Sequence, residues 1–121
     1  MQHRVLSDLA QADWTIEDPG DAGAIPSSMT GVVELVSGGA ETRTLAAPTK
    51  AGLRLILCFK TDGGDCVVTC ASTLNVTANT TITFDTAGEM IELVSIASGS
   101  NYRWRALACL PEGDTASLST P

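Results

Sequence analysis

The chain has 121 residues, a single-domain length that can enclose one hydrophobic core. Its formal charge of −7 repels phosphate backbones and no Lys/Arg cluster offsets it, so we expect no nucleic-acid partner. No apolar run reaches the length of a membrane span, and the N-terminus lacks the apolar stretch of a secretory signal, so we expect no membrane partner and synthesis in a cytoplasm.

The residue composition predicts an all-β chain. Thr, Ser, Gly and Pro are abundant, which favours short strands and many turns over helices. Aromatic residues make up only 4% of the chain, so Val, Leu, Ile and Ala side chains must fill the core. Because such a core buries less area per residue than usual, we expect the protein to self-associate.

Residues 1–30 are predicted to form an extended N-terminal arm. Pro19-Gly20 and Pro26 interrupt regular structure, and the short helical possibility at residues 6–12 would be marginal in water on its own. The apolar side chains of this arm need a surface to lie on, either their own domain or a neighbouring subunit. We predict that these residues bind a partner, and they are Val5, Leu6, Leu9, Trp14 and Ile16.

Residues 31–110 are predicted to form the β-domain, because short apolar segments there are separated by turns. The predicted strands are residues 31–36, 41–45, 53–60, 66–71, 74–76, 80–84, 90–96 and 102–107. Parallel pairs would need helical crossovers for which the chain has no room. We therefore predict a single antiparallel β-sandwich or barrel-like roll that carries the extended N-terminal arm.

The centre of the predicted domain is residues 45–84, which contain the most apolar run of the chain. The run at residues 53–60 is too short to span a membrane and fits a buried strand. Residues 61–65 include two adjacent glycines, which supply the positive φ angles of a tight reversal, and a β-branched pattern resumes at residue 66. This pattern predicts a β-hairpin.

The last predicted strand alternates strictly between two faces. Tyr102 and Trp104 lie on one face, and Arg103 and Arg105 lie on the other, which is typical of a half-buried strand. The small and polar residues 111–121 are predicted to form a loose C-terminal tail or a second short arm.

The cysteines do not form a metal-binding pattern. Cys58, Cys66, Cys70 and Cys109 include no CxxC pair, and the single imidazole, His3, lies on the arm. Cys66 and Cys70 share one face of a strand at a separation of about 13 Å, too far to bridge each other. We predict buried free thiols, with a cross-strand disulfide such as Cys58–Cys70 as the alternative, and no metal or cofactor.

No group of residues meets the requirements of a catalytic site. The acids around Gly63-Gly64 lack calcium-loop spacing, and Glu89, Glu92 and Glu112 form no pair with hydrolytic spacing. Glycines and serines occur without a phosphate-binding loop or a nucleophile elbow. We therefore predict that the protein is not an enzyme.

Four stretches of the chain share a rhythm of turn glycines, apolar strand residues and one late tryptophan. They are LAAPTKAGL at residues 45–53, NTTITF at 79–84, AGEMIEL at 87–93 and NYRW at 101–104. This pattern resembles the β-module of tailed-phage virion proteins such as capsid decoration proteins, head fibres and tail-fibre segments. The similarity spans residues 31–107, and Ala46-Ala47-Pro48 replaces the tighter Leu-Pro of many examples.

The resemblance implies a phage structural protein, and many proteins of this kind are homotrimers. The expected function is capsid decoration (cement): the protein would bind the major capsid protein on the outer surface of the head and bridge its subunits. The alternative is a tail-fibre, head-fibre or spike component that binds a host surface, and a more distant option is a small-molecule or sugar-binding module. No binding residue of the family can be carried over to a position of this chain.

The predicted arm combines its apolar residues with acidic ones. We expect these acids to orient the arm toward basic patches of a capsid, and they are Asp8, Asp13, Glu17, Asp18 and Asp21.

Overall fold

The computed structural model describes residues 14–75 and 79–107, together with the backbone of residues 117–119. These residues form ten strands and no helix, so the prediction of an all-β chain is confirmed over these ranges. Accordingly, the same ranges contain no helix that could cross a membrane.

The strands form two five-stranded sheets. In chain order they are β1 (Thr15–Ile16), β2 (Gly23–Ile25), β3 (Gly31–Ser37), β4 (Glu41–Leu45), β5 (Arg54–Asp62), β6 (Cys66–Cys70), β7 (Thr81–Phe84), β8 (Met90–Ser98), β9 (Asn101–Leu107) and β10 (Ser117–Ser119). The first sheet has the order β1-β3-β5-β8-β9 and the second has the order β10-β7-β6-β4-β2. Each described sheet therefore ends in edge strands and does not close into a barrel.

The first six strands alternate between the two sheets and pair in parallel within each sheet. Gly31 of β3 lies beside Leu55 of β5, and Glu41 of β4 lies beside Cys66 of β6, each in parallel register. The prediction of purely antiparallel pairing is therefore wrong, since both sheets are mixed. A strand in the opposite sheet provides each crossover, so parallel pairs form here without the helix that usually connects them.

The later strands add antiparallel pairs to this arrangement of alternating parallel strands. In the first sheet β5 pairs with β8 and β8 with β9, and in the second sheet β6 pairs with β7. β10 pairs with β7, which places residues 117–119 in the second sheet rather than in a loose tail. The rest of the predicted tail, residues 111–116 and 120–121, lies outside the described residues.

The predicted hairpin is also wrong, because β5 and β6 belong to different sheets. Residues 63–65 connect the sheets and lie against the preceding connection, residues 38–40. A Cβ atom on Gly64 would lie 2.6 Å from the carbonyl oxygen of Gly39, and one on Gly63 would meet the carbonyl oxygen of Ser37. Both glycines are therefore required by the close approach of two stacked connections.

Two other segments differ from the prediction. Residues 14–30, assigned to the arm, supply β1 and β2, which pair in parallel with β3 and β4. An arm remains a prediction only for residues 1–13, which lie outside the described residues together with the helical possibility at residues 6–12. The strand predicted at residues 74–76 is absent at Leu74 and Asn75, and residue 76 is not described.

Inward side chains of both sheets form one hydrophobic cluster. Phe59 of β5 packs on Phe84 of β7 with ring centroids 5.7 Å apart, which joins the two sheets. The indole of Trp104 is buried and donates a hydrogen bond of 3.0 Å to the carbonyl oxygen of Ala46. The remaining cluster is largely aliphatic, as the low aromatic content predicts.

Candidate binding surface

The outward side of the first sheet exposes much apolar area. We call this surface the first outer face, and it consists of Val32, Glu34, Val36, Arg54, Ile56, Cys58, Lys60, Met90, Glu92, Val94, Ile96, Arg103, Arg105 and Leu107. Val36, Met90 and Leu107 are 45%, 39% and 45% exposed. The exposed apolar side chains on this sheet face make it a candidate binding surface.

Trp14 lies at one border of the first outer face and is 51% exposed. Its carbonyl oxygen accepts a hydrogen bond of 2.9 Å from the Val32 amide. A Cβ atom on Gly31 would lie 2.7 Å from Ile16, so glycine is needed for β1 to approach β3. The result is a shallow cavity of about 330 Å³, lined by Trp14, Thr30, Gly31, Val32, Arg54, Ile56 and Glu92.

The first outer face is cationic although the whole protein is acidic. It carries four of the seven Lys and Arg residues of the chain and two of the fourteen acids. Arg54 pairs with Glu92 through a hydrogen bond of 2.6 Å between Nε and Oε2, and the Lys60 ammonium lies 3.8 Å from Glu34. The other two cations of this face, Arg103 and Arg105, donate to backbone carbonyl oxygens instead.

The residues predicted to bind a partner differ in their exposure in the structure. Trp14 is available at the surface, whereas Ile16 is only 8% exposed and packs in the core, so the prediction is wrong for Ile16. Ile16 pairs with Val33 in the register of β1 and β3, which turns its side chain inward. Val5, Leu6 and Leu9 lie outside the described residues.

Two of the acids assigned to the arm bond within the domain. Asp18 accepts hydrogen bonds from the Gly20 and Val36 amides, and Asp21 accepts one of 3.0 Å from the Thr42 amide. These hydrogen bonds attach the connection between β1 and β2 to β3 and β4. Glu17 is exposed, and Asp8 and Asp13 lie outside the described residues.

Sequence reasoning missed Arg43, whose side chain is fully buried at the end of the core. Its Nε and Nη2 atoms donate to the two carboxylate oxygens of Asp18 at 2.8 and 3.0 Å, and Nη1 lies 3.0 Å from Glu41. Nη2 also donates to the carbonyl oxygen of Val36. The hydrogen bond to Asp18 is the main cause of a raised Arg43 pKa, so the guanidinium stays charged in the core.

This cluster could have been found from the alternation of residues. Glu41, Arg43 and Leu45 share one face of β4, and Leu45 is buried. An arginine on the buried face of a strand requires carboxylate partners. The alternation therefore identifies Arg43 as a paired residue without identifying Asp18 as its partner.

The outward side of the second sheet has a different chemistry. Threonine dominates the exposed and half-buried outward positions of β4, β6 and β7, where the side chains are Thr42, Thr44, Val67, Thr69 and Thr83, while Thr81 of β7 is only 5% exposed. We call this surface the second outer face. Threonine presents both a methyl and a hydroxyl group, so this face can remain in water without a partner.

Cys66 and Cys70 are buried free thiols, as predicted, whereas Cys58 is only half-buried and Cys109 lies outside the described residues. The alternative Cys58–Cys70 disulfide is wrong, since Cys70 is free. Burial raises the pKa of Cys70 to about 12 and also raises that of Cys66, so both remain protonated and unreactive at neutral pH. Within residues 14–75 and 79–107, no three His, Cys, Asp or Glu side chains form a metal-binding group.

Comparisons with known proteins give no relative. No family model, no curated protein and no solved structure matches this chain.

Proposed function

We propose that this protein is a decoration (cement) protein of a tailed phage that binds the outer surface of the assembled head and bridges major capsid protein subunits. The phage assignment rests on the sequence resemblance over residues 31–107. The observation that carries the binding role is the first outer face, which combines exposed apolar side chains, four cations and the half-exposed indole of Trp14.

This combination has the composition of an interface centre. Trp, Met and Arg are enriched in protein interfaces, and tryptophan and arginine are the residues whose truncation most often costs binding energy. Trp14 lies in a cavity beside Ile56 and Arg54, so a partner side chain could enter next to the indole. The cationic character of this face directs it toward an acidic patch of the capsid, while contact of the arm acids Asp8 and Asp13 with basic patches stays a prediction.

We further propose how the parts of the molecule are arranged in this role. The two sheets would act as the layers of a β-sandwich, with the contact between Phe59 and Phe84 joining them. Residues 1–13 would extend from Trp14 as a strap along the capsid, carrying Val5, Leu6 and Leu9 to it. The subunits would form homotrimers on the virion.

The proposed mechanism is thermodynamic linkage between binding and shell assembly, and it requires no chemical reaction. A ligand that binds only the assembled shell stabilises it by RT ln(1 + [L]/Kd). Many copies of modest affinity can therefore reinforce a shell that packaged DNA strains. Trimerisation would raise the avidity further, because one bound subunit holds the others close to their sites.

The test is co-sedimentation of the full chain with capsids that lack it. Ile56→Asp places a charge at the centre of the first outer face, and Trp14→Ala removes the indole. We expect Ile56→Asp to abolish binding and Trp14→Ala to weaken it by about 2 kcal/mol, roughly thirtyfold in Kd. Thr69→Asp on the second outer face is the matched control and should bind as the wild type does.

Each result has a defined meaning. Equal loss with Thr69→Asp and Ile56→Asp would show that the first outer face is not the capsid-binding surface. If wild-type protein does not bind capsids and labelled protein marks a few positions on the tail or head of whole virions, the fibre or spike alternative replaces decoration.

A further inference from the structure

A polar cleft lies at the end of the molecule where β8 turns into β9. It has a volume of about 330 Å³ and is lined by Ala47, Ser72, Thr73, Ser98, Asn101, Tyr102 and Arg103. These residues come from two connections and from the ends of β8 and β9, which are far apart in sequence. The volume is at the lower end of the range for small-ligand sites, which suits one sugar-sized group.

Arg103 is the charged group of the cleft. Its Nη2 atom donates to the carbonyl oxygen of Thr73 at 2.9 Å and to the Thr73 hydroxyl, which fixes the orientation of the guanidinium. Its Nε atom is buried and has no acceptor among the described residues. The hydrogen bonds to Thr73 therefore orient this guanidinium, and it has no anionic partner among the residues that the structure describes.

The surroundings of the cleft favour an anion. The described connections at this end are residues 26–30, 46–53, 71–75, 79–80 and 99–100, and none of them contains Asp or Glu. They contain Lys50, and Arg103 stands next to them on β9. The charge of these described residues is therefore positive although the chain as a whole carries −7.

Tyr102 also lines the cleft and supplies its aromatic surface. It is 38% exposed, whereas Trp104, two residues further along the strand, is buried. The hydrogen bond from the Trp104 indole to Ala46 fixes the neighbouring wall of the cleft. Tyr102 is thus an exposed lining residue of the cleft, against which the apolar face of a sugar ring can pack.

We propose that this polar cleft binds a sugar residue that carries a carboxylate. The Arg103 guanidinium would pair with the carboxylate, Tyr102 would pack against the ring, and Ser72, Ser98 and Asn101 would exchange hydrogen bonds with the sugar hydroxyls. This activity is distinct from capsid binding around Trp14, because the cleft lies where β8 turns into β9, and Arg103 is the one residue that it shares with the first outer face. A head-surface protein with such a site would hold the virion on acidic polysaccharides.

The proposal can be tested by NMR titration of the full chain with sodium glucuronate. Glucose lacks the carboxylate and acetate lacks the ring, so these two probes separate the contributions. We expect saturable shifts of the Asn101, Tyr102 and Arg103 amide signals with glucuronate, and at least about tenfold weaker binding of either comparison compound.

Two variants connect these shifts to the cleft. Arg103→Gln should weaken glucuronate binding about tenfold. Arg105→Gln is the matched control: Arg105 lies on the same strand, donates to the carbonyl oxygens of Leu74 and Asn75 and does not line the cleft, so binding should be unchanged. Tyr102→Leu keeps all charges and should weaken binding several-fold, and it decides the question if Arg103→Gln does not fold.

Three results would overturn the proposal. They are the absence of saturable shifts, equal binding of acetate and glucuronate, and full glucuronate binding by Tyr102→Leu together with any folded Arg103→Gln protein. Because no capsid is present in this titration, its failure would leave the proposed decoration role unaffected.

Discussion

The two ends of the molecule are fastened in different ways. At the acidic end, which comprises connections 17–22, 38–40, 63–65 and 85–89, carboxylates accept hydrogen bonds from backbone amides and surround the buried Arg43. At the opposite end no connection contains an acid, and neutral groups hold the chain. The Ser95 hydroxyl there accepts a hydrogen bond of 2.7 Å from the Leu53 amide.

The charged side chains of the acidic end stabilise the fold, whereas the charge at the opposite end is available to a ligand. Asp18 and Glu41 are satisfied by Arg43 inside the domain, so they contribute little to a binding surface. Arg103 at the opposite end has only neutral acceptors among the described residues. Among the described residues, the acids therefore lie mainly at the acidic end.

The largest expected effect is the loss of Arg43. In Arg43→Ala, Asp18 and Glu41 lose their cation, and the amide contacts of Asp18 to residues 20 and 36 lose their support. Breaking a buried ion pair by removing one partner costs about 3–5 kcal/mol. Urea denaturation should show a loss of this size in the free energy of unfolding.

Arg54→Ala is the control for Arg43→Ala. Its side chain is 63% exposed and pairs with Glu92 at the surface, so its loss should cost at most about 1 kcal/mol. Similar losses in both variants would contradict the view that the acidic end depends on a buried charge.

A smaller effect is expected from the stacked glycines of the acidic end. Gly64→Ala places a methyl group against the backbone of Gly39 and Ala40, and we expect a loss of about 1–3 kcal/mol from the forced displacement. Gly39→Ala is the matched control, since a Cβ atom there meets nothing within 4 Å. Thermal unfolding of both variants compares them, and an undisturbed Gly64→Ala protein would argue against tight stacking of the two connections.

The strands themselves could be predicted because their apolar alternation is local. The alternation in β3, β4, β8 and β9 identifies both the strands and their inward faces. The assignment of strands to sheets could not be predicted, because a Gly-Gly segment serves a hairpin and a crossover between sheets equally well. β1 and β2 were missed because they are only two and three residues long. They are held in place by the close approach of β1 to β3 at Gly31 and by the hydrogen bonds that Asp18 accepts.

The candidate site was predictable only in part. An exposed Trp14 follows from its polar surroundings in sequence, whereas the burial of Ile16 depends on the pairing of β1 with β3. The polar cleft was missed because Ser72, Ser98 and Tyr102 meet only after the fold has brought the connection after β6 to the ends of β8 and β9. No local spacing in the sequence marks such a site.

The smallest expected effect is the pH dependence of the acidic end, where two carboxyls act in opposite directions. Burial alone would raise the Asp18 pKa, but hydrogen bonds from Arg43, Val36 and Gly20 lower it below the ordinary 3.8. Its stabilising contribution is present above that value and is lost as pH falls through the lower folded-state pKa. Burial raises the pKa of Glu89 above 4.5 in the folded state. The contribution of Glu89 therefore has the opposite sign to that of Asp18, and the free energy of unfolding falls as pH rises through the window above 4.5.

Two isosteric variants separate these contributions. Asp18→Asn should flatten the loss of stability below pH 3.8, whereas Glu89→Gln should remove the decline just above pH 4.5, because its amide oxygen can still accept the Asp85 and Thr86 amide hydrogens. The measurement is the urea midpoint from pH 2.5 to 7, and the slopes of the profiles are compared rather than their offsets. An Asp18→Asn profile parallel to that of the wild type below pH 3.8 would mean that Asp18 is not held as a carboxylate by Arg43. The acidic end would then lack the buried charge that distinguishes it from the opposite end.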